Sequence, residues 1–124
     1  MYIGNTDRKN QRKVLKLARK MIDSPVKWTK YVCARTKRGE ECGSWDENAY
    51  QFCAVGALRA ASYRLWGEEC RIGSEARVIM DSVNKDAEWA SIPVWNDSRE
   101  TTYDDVIAVF DAALEATKKK RKDA

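Results

Sequence analysis

The sequence has 124 residues and a net charge of +4, with 44% hydrophobic and 34% charged residues. This length and composition suit one soluble domain with a single core. The chain contains no histidine, which excludes Ser-His and Cys-His hydrolases, histidine-ligated metals and a histidine general base. No apolar run approaches the roughly 20 residues that a membrane span requires, and the N-terminal stretch lacks the apolar segment of a secretory signal. We therefore expect a cytoplasmic protein without a membrane partner.

The charges are strongly segregated along the chain. Residues 1–38 hold twelve lysines and arginines against two acids, a balance of +10. Residues 39–117 hold six against sixteen, a balance of −10, and residues 118–124 return to +4. Such segregation bears on partners and on self-association rather than on the fold.

A first helix is predicted from about residues 5–7 to Asp23, where Ser24-Pro25 ends it because the residue before proline avoids the α region. At about 100° per residue, seven cations fall within an arc of roughly 140°, with apolar residues opposite. The seven are Arg8, Lys9, Arg12, Lys13, Lys16, Arg19 and Lys20. The pattern predicts a strongly amphipathic basic helix.

A short β-hairpin, roughly 29–42, is predicted next from β-branched and aromatic residues followed by a turn at Gly39. A central helix should follow at roughly 48–66, capped by Asp46 or Asn48 and ended at Gly67. Its contact face carries mostly small residues, which lets a neighbouring backbone approach closely. Tyr50 and Cys53 would lie on that face, in the first turns of the helix.

Two further helices complete the expected fold. One should span about 74–86, and residues 89–94 should be irregular because Pro93 interrupts them. The last helix is announced by Thr101-Thr102-Tyr103-Asp104-Asp105, a capping-box pattern with acids in the first turn. We expect a mainly α fold, with about four helices packed around the central one. Residues 1–117 should form a single domain, followed by a disordered basic tail at 118–124.

Several residues occur in an order that resembles a known family. They are Trp28, Gly39, the Cys-x-x-Gly-Ala-Leu-x-x-Ala run from Cys53 to Ala61, Ile92, Trp95-Asn96-Asp97, and Arg99 with Thr101, which Glu100 separates. The set resembles a family of small uncharacterised proteins of bacteria and their phages, catalogued as a domain of unknown function. The resemblance covers most of residues 14–117 and implies a shared fold and a cytoplasmic, microbial or phage setting. It implies no activity.

The four cysteines offer two kinds of chemistry. Cys53 near a helix start is placed where the helix dipole lowers a thiol pKa, yet without a histidine base we favour a structural core cysteine. A zinc site is disfavoured because 8, 10 and 16 residues separate Cys33, Cys42, Cys53 and Cys70, whereas structural zinc usually needs short paired spacings. We expect no metal, no cofactor and no catalytic residue.

The segment Trp95-Asn96-Asp97, with Arg99, is the candidate ligand-binding site. In a pocket, the indole would stack on a ligand, the amide and carboxylate would form hydrogen bonds, and Arg99 would supply charge. The alternative is a buried tryptophan beside an Asx-turn formed by Asn96 and Asp97. The alternative is favoured.

The basic helix is the candidate partner-binding surface, through Arg8, Arg12, Lys16 and Arg19, which lie within about 80° of one another. Like charges four residues apart destabilise an isolated helix by about 0.2–0.5 kcal/mol per pair, and an anionic partner would offset that repulsion. The leading hypothesis is a non-catalytic binding module that engages an acidic protein surface or an anionic, nucleotide-like ligand, as in phage–host interaction or counter-defence. A second copy of the chain could also supply the acidic surface.

Two alternatives stay open. One is a nucleic-acid-binding protein that uses the basic helix and the lysine tail. The other is a small enzyme that uses Cys53 or the Trp95-Asn96-Asp97 segment.

Overall fold

The computed structural model describes residues 8–69, 71–85 and 88–118. Within these residues the chain is mainly helical and carries a small antiparallel sheet, as predicted. The helices are α1 (Arg8–Met21), α2 (Ala54–Trp66), α3 (Gly73–Val83), α4 (Ile92–Asp97) and α5 (Tyr103–Ala116), and the strands are β1 (Ala34–Thr36), β2 (Glu41–Cys42) and β3 (Ala49–Phe52). None of these helices is long and apolar enough to cross a bilayer. The third helix ends at Val83, with Asn84 as its C-cap, three residues before the predicted end. The predicted start of the first helix at residues 5–7, Cys70 and tail residues 119–124 lie outside the described residues.

Helix α1 behaves as its amphipathic pattern predicts. Val14, Leu15 and Ala18 on its apolar face are fully buried, and the helix packs against α2 and α5. It ends at Met21, and a single 3₁₀ turn, Pro25–Lys27, follows. The apolar face therefore forms one wall of the core.

The predicted start of the central helix near residue 48 is wrong. Residues 49–52 form β3, which pairs with β1 so that Ala34 lies opposite Phe52, and the sheet order is β2-β1-β3. Helix α2 begins only at Ala54, and its N-cap is Cys53 rather than Asp46 or Asn48. Pairing with a strand some fifteen residues earlier thus overrides the local helical pattern. The end of the helix at Gly67, which adopts a left-handed φ of 73°, is confirmed.

The small residues of α2 allow the close approach that the sequence predicts. Ala57, Ala60 and Ala61 are buried. A Cβ atom at Gly56 would lie 1.8 Å from the carbonyl oxygen of Cys33. Glycine is therefore required where the first turn of α2 meets the residue that precedes β1.

Residues 92–97 form the short helix α4, although an irregular segment was predicted around Pro93. The hydroxyl of Ser91 caps the helix by accepting a hydrogen bond from the backbone N–H of Val94 at 3.3 Å. Pro93 lies in the first turn, where the missing N–H has no helical partner to lose and the fixed φ suits the helix. The Trp95-Asn96-Asp97 segment is therefore helical and not a loop.

The capping box before α5 is confirmed. The hydroxyl of Thr102 accepts a hydrogen bond from the N–H of Asp105 at 3.2 Å, and the carboxylate of Asp105 accepts one from the N–H of Thr102 at 2.9 Å. Phe110 and Val106 of this helix are fully buried. Helices α1, α2, α3 and α5 together enclose one apolar core, which α4 closes beside α2 and α3.

Candidate functional site

Asn96 is the centre of a buried hydrogen-bond network. Its side chain is fully buried, and its Oδ1 accepts hydrogen bonds from Trp28 Nε1 at 2.8 Å and from the backbone N–H of Ala54 at 3.0 Å. Its Nδ2 donates to the carbonyl oxygen of Thr29 at 3.1 Å and to Asp97 Oδ1 at 3.0 Å. Since an amide has two donor hydrogens and two acceptor lone pairs, Asn96 has no polar capacity left for a ligand.

The neighbours of Asn96 divide between the interior and the surface. Trp95 is only 5% exposed, so the interpretation as a buried tryptophan is confirmed. Asp97 is half-buried and accepts a hydrogen bond from the backbone N–H of Tyr31 at 2.8 Å. The side chains of Asn96 and Asp97 therefore bond to residues 28–31, and the predicted Asx-turn is wrong. Arg99 is exposed. The four predicted ligand-binding side chains therefore do not meet on one accessible surface.

Two arginines of α1 bind the C-terminal end of α5. Arg12 Nη1 donates to the carbonyl oxygen of Leu114 at 2.5 Å and to the hydroxyl of Thr117 at 2.9 Å. Arg8 Nη1 donates to the carbonyl oxygen of Lys118 at 3.4 Å. The last carbonyls of a helix lack intrahelical partners and carry partial negative charge, so Arg12 acts as a side-chain cap of α5. Arg8 binds Lys118, the residue that follows the C-cap Thr117.

Arg19 is also held by α5. Its Nε lies 2.7 Å from Asp111 Oδ1 and its Nη2 lies 3.4 Å from Asp111 Oδ2. This two-bond contact with the carboxylate raises the pKa of Arg19 above its ordinary value. Three of the four predicted partner-binding residues, Arg8, Arg12 and Arg19, thus make contacts within the chain.

The lysines of α1 lie on a different edge of the same helix. Counted from Arg8, the arginines span about 0–40° around the helix axis, whereas Lys13, Lys16 and Lys20 lie at about 80–140°. These three lysines, named here the lysine face, are exposed and form no ion pair with any other described residue. The basic arc that the sequence predicts as one surface is two surfaces, divided by residue type.

A cleft of about 360 Å³ lies at the end of the lysine face, between α1, β3 and α2. We name it the α1–β3 cleft. Its polar lining includes three cations, one acid and one tyrosine, and its apolar lining comes from α1 and β3. The residues are Leu17, Lys20, Met21, Asp23, Lys27, Ala49, Tyr50, Phe52 and Arg64.

The cations of the α1–β3 cleft are only partly neutralised. Lys27 Nζ lies 3.3 Å from Asp23 Oδ1, whereas Lys20 and Arg64 make no ion pair within the described part of the chain. The Tyr50 ring has Lys37 Nζ 5.5 Å from its centroid. The cleft therefore combines a half-buried aromatic ring with two uncompensated positive charges.

Sequence analysis missed Tyr50 and Arg64 as candidate binding residues. The sequence predicts Tyr50 on the contact face of a helix. In the structure it lies in β3, beside the end of α1. Arg64 is some forty residues from the basic helix along the chain, and only the packing of α2 against α1 brings the two together. The difference in chemistry between Arg and Lys, which suits arginine to bidentate contacts, was the available signal for dividing the basic arc.

Comparison with known proteins gives one match. A family model covers residues 6–116. The chain belongs to DUF6197, a family of unknown function. This confirms the resemblance to a domain of unknown function, while no curated protein and no solved structure matches the sequence. Membership of DUF6197 brings no activity to the chain, so its function has to be argued from the site itself.

Proposed function

We propose that this protein is a non-catalytic binding module for a small anionic ligand with an aromatic or nucleotide-like part, held in the α1–β3 cleft. The observation that carries the proposal is that Lys20 and Arg64, which form no ion pair with any other described residue, lie beside the ring of Tyr50 in one cleft. We propose that it acts in the cytoplasm of a bacterium, as a bacterial or a phage protein, which is the setting that the family resemblance implies.

The size and chemistry of the cleft suit such a ligand. A volume of about 360 Å³ lies in the range of small-molecule sites, about 300–1,000 Å³. A guanidinium such as that of Arg64 can bind a phosphate or carboxylate through two parallel hydrogen bonds. The Tyr50 ring and the apolar side chains of Leu17 and Met21 offer contact area to a base or another flat group.

An acidic protein surface is the second candidate. The lysine face continues away from the cleft through Lys16 and Lys13, both exposed, over a length that a small ligand would not cover. An acidic segment that entered the cleft could contact these lysines as well. A second copy of the chain offers such acids in residues 39–117, whose balance is −10.

The test is calorimetric titration of the protein with ATP, AMP and inorganic phosphate. We expect the nucleotides to bind, and Lys20→Gln with Arg64→Gln to weaken binding at least about 100-fold, because the double variant loses two charge-assisted hydrogen bonds that contribute about 1.5–3 kcal/mol each. The matched control is Arg38→Gln with Arg77→Gln, which removes the same charge from exposed positions outside the cleft. Equal weakening in both double variants, or no binding of any anion, would contradict the proposal.

The choice of ligand separates the alternative functions. An acidic peptide that binds while nucleotides do not would favour the protein partner. For duplex DNA, the logarithm of the affinity falls with the logarithm of salt concentration with a slope of about −0.9 per neutralised phosphate. Since Arg8, Arg12 and Arg19 are held by contacts within the chain, the three residues of the lysine face would give a slope of about −2.7. A tight duplex complex with a much steeper slope would place nucleic-acid binding first.

A further inference from the structure

Two cysteines face each other where β1 and β3 meet α2. The backbone N–H of Cys53 donates to the carbonyl oxygen of Cys33 at 3.1 Å, one register step beyond the pair Ala34–Phe52. Directly opposed residues of antiparallel strands have Cα atoms about 4.5–5.5 Å apart, which falls within the 4.4–6.8 Å that disulfides span.

One of the two thiols is reachable and the other is enclosed. Both cysteines line a small cleft of about 160 Å³, with Arg59, Asp97 and Tyr31 at its polar rim. Cys33 is half-buried, whereas Cys53 is 6% exposed and its Sγ accepts a hydrogen bond from the N–H of Gly56 at 3.3 Å. A reactant that enters this cleft would therefore meet Cys33 first.

The electrostatics favour a single negative charge, on Cys33. A hydrogen bond from Cys53 lowers the pKa of Cys33 to about 6, against the effect of burial, and Arg59 adds to the lowering while Glu69 and Glu41 oppose it. The same hydrogen bond, together with burial, raises the pKa of Cys53. The pair then holds one proton at neutral pH, with the thiolate on the accessible sulfur.

The backbone that leads to Cys33 is fixed at both ends. Tyr31 has a left-handed φ of 76° although it is not a glycine, and its N–H is held by the carboxylate of Asp97. The carbonyl of Cys33 lies against Gly56, where no Cβ would fit. Strained backbone conformations of this kind in non-glycine residues cluster at functional sites.

We propose that Cys33 and Cys53 form a redox-active thiol pair that reduces a small disulfide, with Cys33 as the attacking and Cys53 as the resolving thiol. The Cys33 thiolate attacks one sulfur of R–S–S–R, breaks that bond, forms a mixed disulfide and releases one RS⁻. The Cys53 sulfur then attacks Cys33, forms the Cys33–Cys53 disulfide and passes its proton to the second departing group, RSH. The protein loses two electrons and the small disulfide gains them.

The test uses glutathione disulfide with the full-length protein at pH 6, where the ionised fractions of the two kinds of thiol differ by more than about a hundredfold. A thiol with a pKa near 8.5 is about 0.3% ionised at this pH, and one with a pKa near 6 about 50%. The weaker nucleophilicity of the less basic thiolate cancels part of that advantage and leaves about tenfold. We expect Cys33 to react at least about tenfold faster than Cys42, whose pKa burial raises, and alkylation with mass mapping to find the Cys33–Cys53 bond.

Three variants make the order of attack visible. Cys53→Ser keeps a good N-cap residue and should stop at a glutathione adduct on Cys33. Cys33→Ser should form neither the adduct nor the bond, while Cys42→Ser should behave as the wild type, and circular dichroism verifies that each variant is folded.

The wild-type rate should rise through pH 6 and level off above about pH 7. Equal rates at Cys33 and Cys42, no adduct on folded Cys53→Ser, or a disulfide to Cys42 or Cys70 instead would each overturn the proposal.

Discussion

Helix α4 and the lysine face of α1 both carry polar residues that the sequence predicts as binding sites. In the fold, those of α4 bond to other parts of the protein, whereas those of the lysine face are exposed to solvent. Asn96 of α4 makes four hydrogen bonds inside the protein, whereas Lys16 and Lys20 make no ion pair with any described residue. The difference teaches that the partners of a polar group, more than its chemical type, decide whether it stabilises the fold or is left for a ligand.

The same division runs along α1 alone. Arg12 and Arg19 face α5 and satisfy its carbonyls and its Asp111 carboxylate, while the lysine face points to solvent. If this comparison is right, the three regions should respond to substitution in a fixed order: a large loss of stability at Asn96, a moderate one at Arg12, and none at Lys16.

The largest effect is expected at Asn96. Asn96→Ala should lower the free energy of unfolding by about 3–5 kcal/mol, because one buried and two partly buried groups lose their partners at about 1–3 kcal/mol each. These groups are the indole N–H of Trp28, the N–H of Ala54 and the carbonyl of Thr29. Urea denaturation measures the change, and Asn48→Ala, at an exposed asparagine, should stay within about 0.5 kcal/mol. A loss below about 1 kcal/mol at Asn96 would mean that water reaches these groups, and α4 would again be a candidate site.

The parts of the fold that the sequence predicts well depend on local chemistry. The capping box at Thr102 and Asp105 and the left-handed C-cap at Gly67 are interactions between residues at most four positions apart. The apolar stripe of α1 predicts its buried face for the same reason. Each of these features is complete within one or two helical turns, so no knowledge of the rest of the chain is needed.

The parts that sequence analysis missed depend on distant partners. Residues 49–52 satisfy their backbone by pairing with β1, and no helical pattern reveals that Ala34 will lie opposite Phe52. The sequence predicts that Pro93 interrupts any helix at this point. Because Ser91 caps α4, Pro93 instead lies in the first turn of that helix, where proline is well tolerated. The candidate site shows the same limit, since Arg64 and Tyr50 join Lys20 only through the packing of α2 and β3 against α1.

A moderate effect is expected at Arg12. Arg12→Gln removes the charged donor that bonds Leu114 and Thr117 at the end of α5, and should lower the free energy of unfolding by about 1–2 kcal/mol. The free energy of unfolding of Arg12→Lys should lie between those of the wild type and Arg12→Gln, because lysine keeps the charge near the helix terminus but lacks the forked donors of a guanidinium. Chemical denaturation of the three proteins gives the order. If Arg12→Gln is as stable as the wild type, Arg12 contributes as little to the fold as the lysine face, and the division of the helix into two surfaces fails.

The smallest effect, and the only one of opposite sign, is expected at Lys16. It lies four residues from Arg12 and from Lys20, and three from Lys13, so its charge is opposed on both sides along the helix. Like-charge pairs at such spacing destabilise a helix by about 0.2–0.5 kcal/mol each, and glutamine matches lysine in helix propensity. Lys16→Gln should therefore raise the free energy of unfolding in low salt by about 0.6 kcal/mol, the low end of the sum of three such pairs, and the gain should shrink as salt screens the repulsion.

Binding measured on the same Lys16→Gln protein tests whether the lysine face contacts a ligand. If the lysine face serves an acidic segment that extends from the α1–β3 cleft, the more stable variant should bind an acidic peptide less tightly. Its affinity for a nucleotide held by Lys20 and Arg64 should change much less, because Lys16 lies outside the cleft lining. A stability gain with unchanged affinity for both ligands would confine the site to the cleft. A stability loss would show that Lys16 has a structural partner, and the contrast with Arg12 would be wrong. Residues whose removal stabilises a protein while it weakens binding mark a surface kept for function rather than for folding.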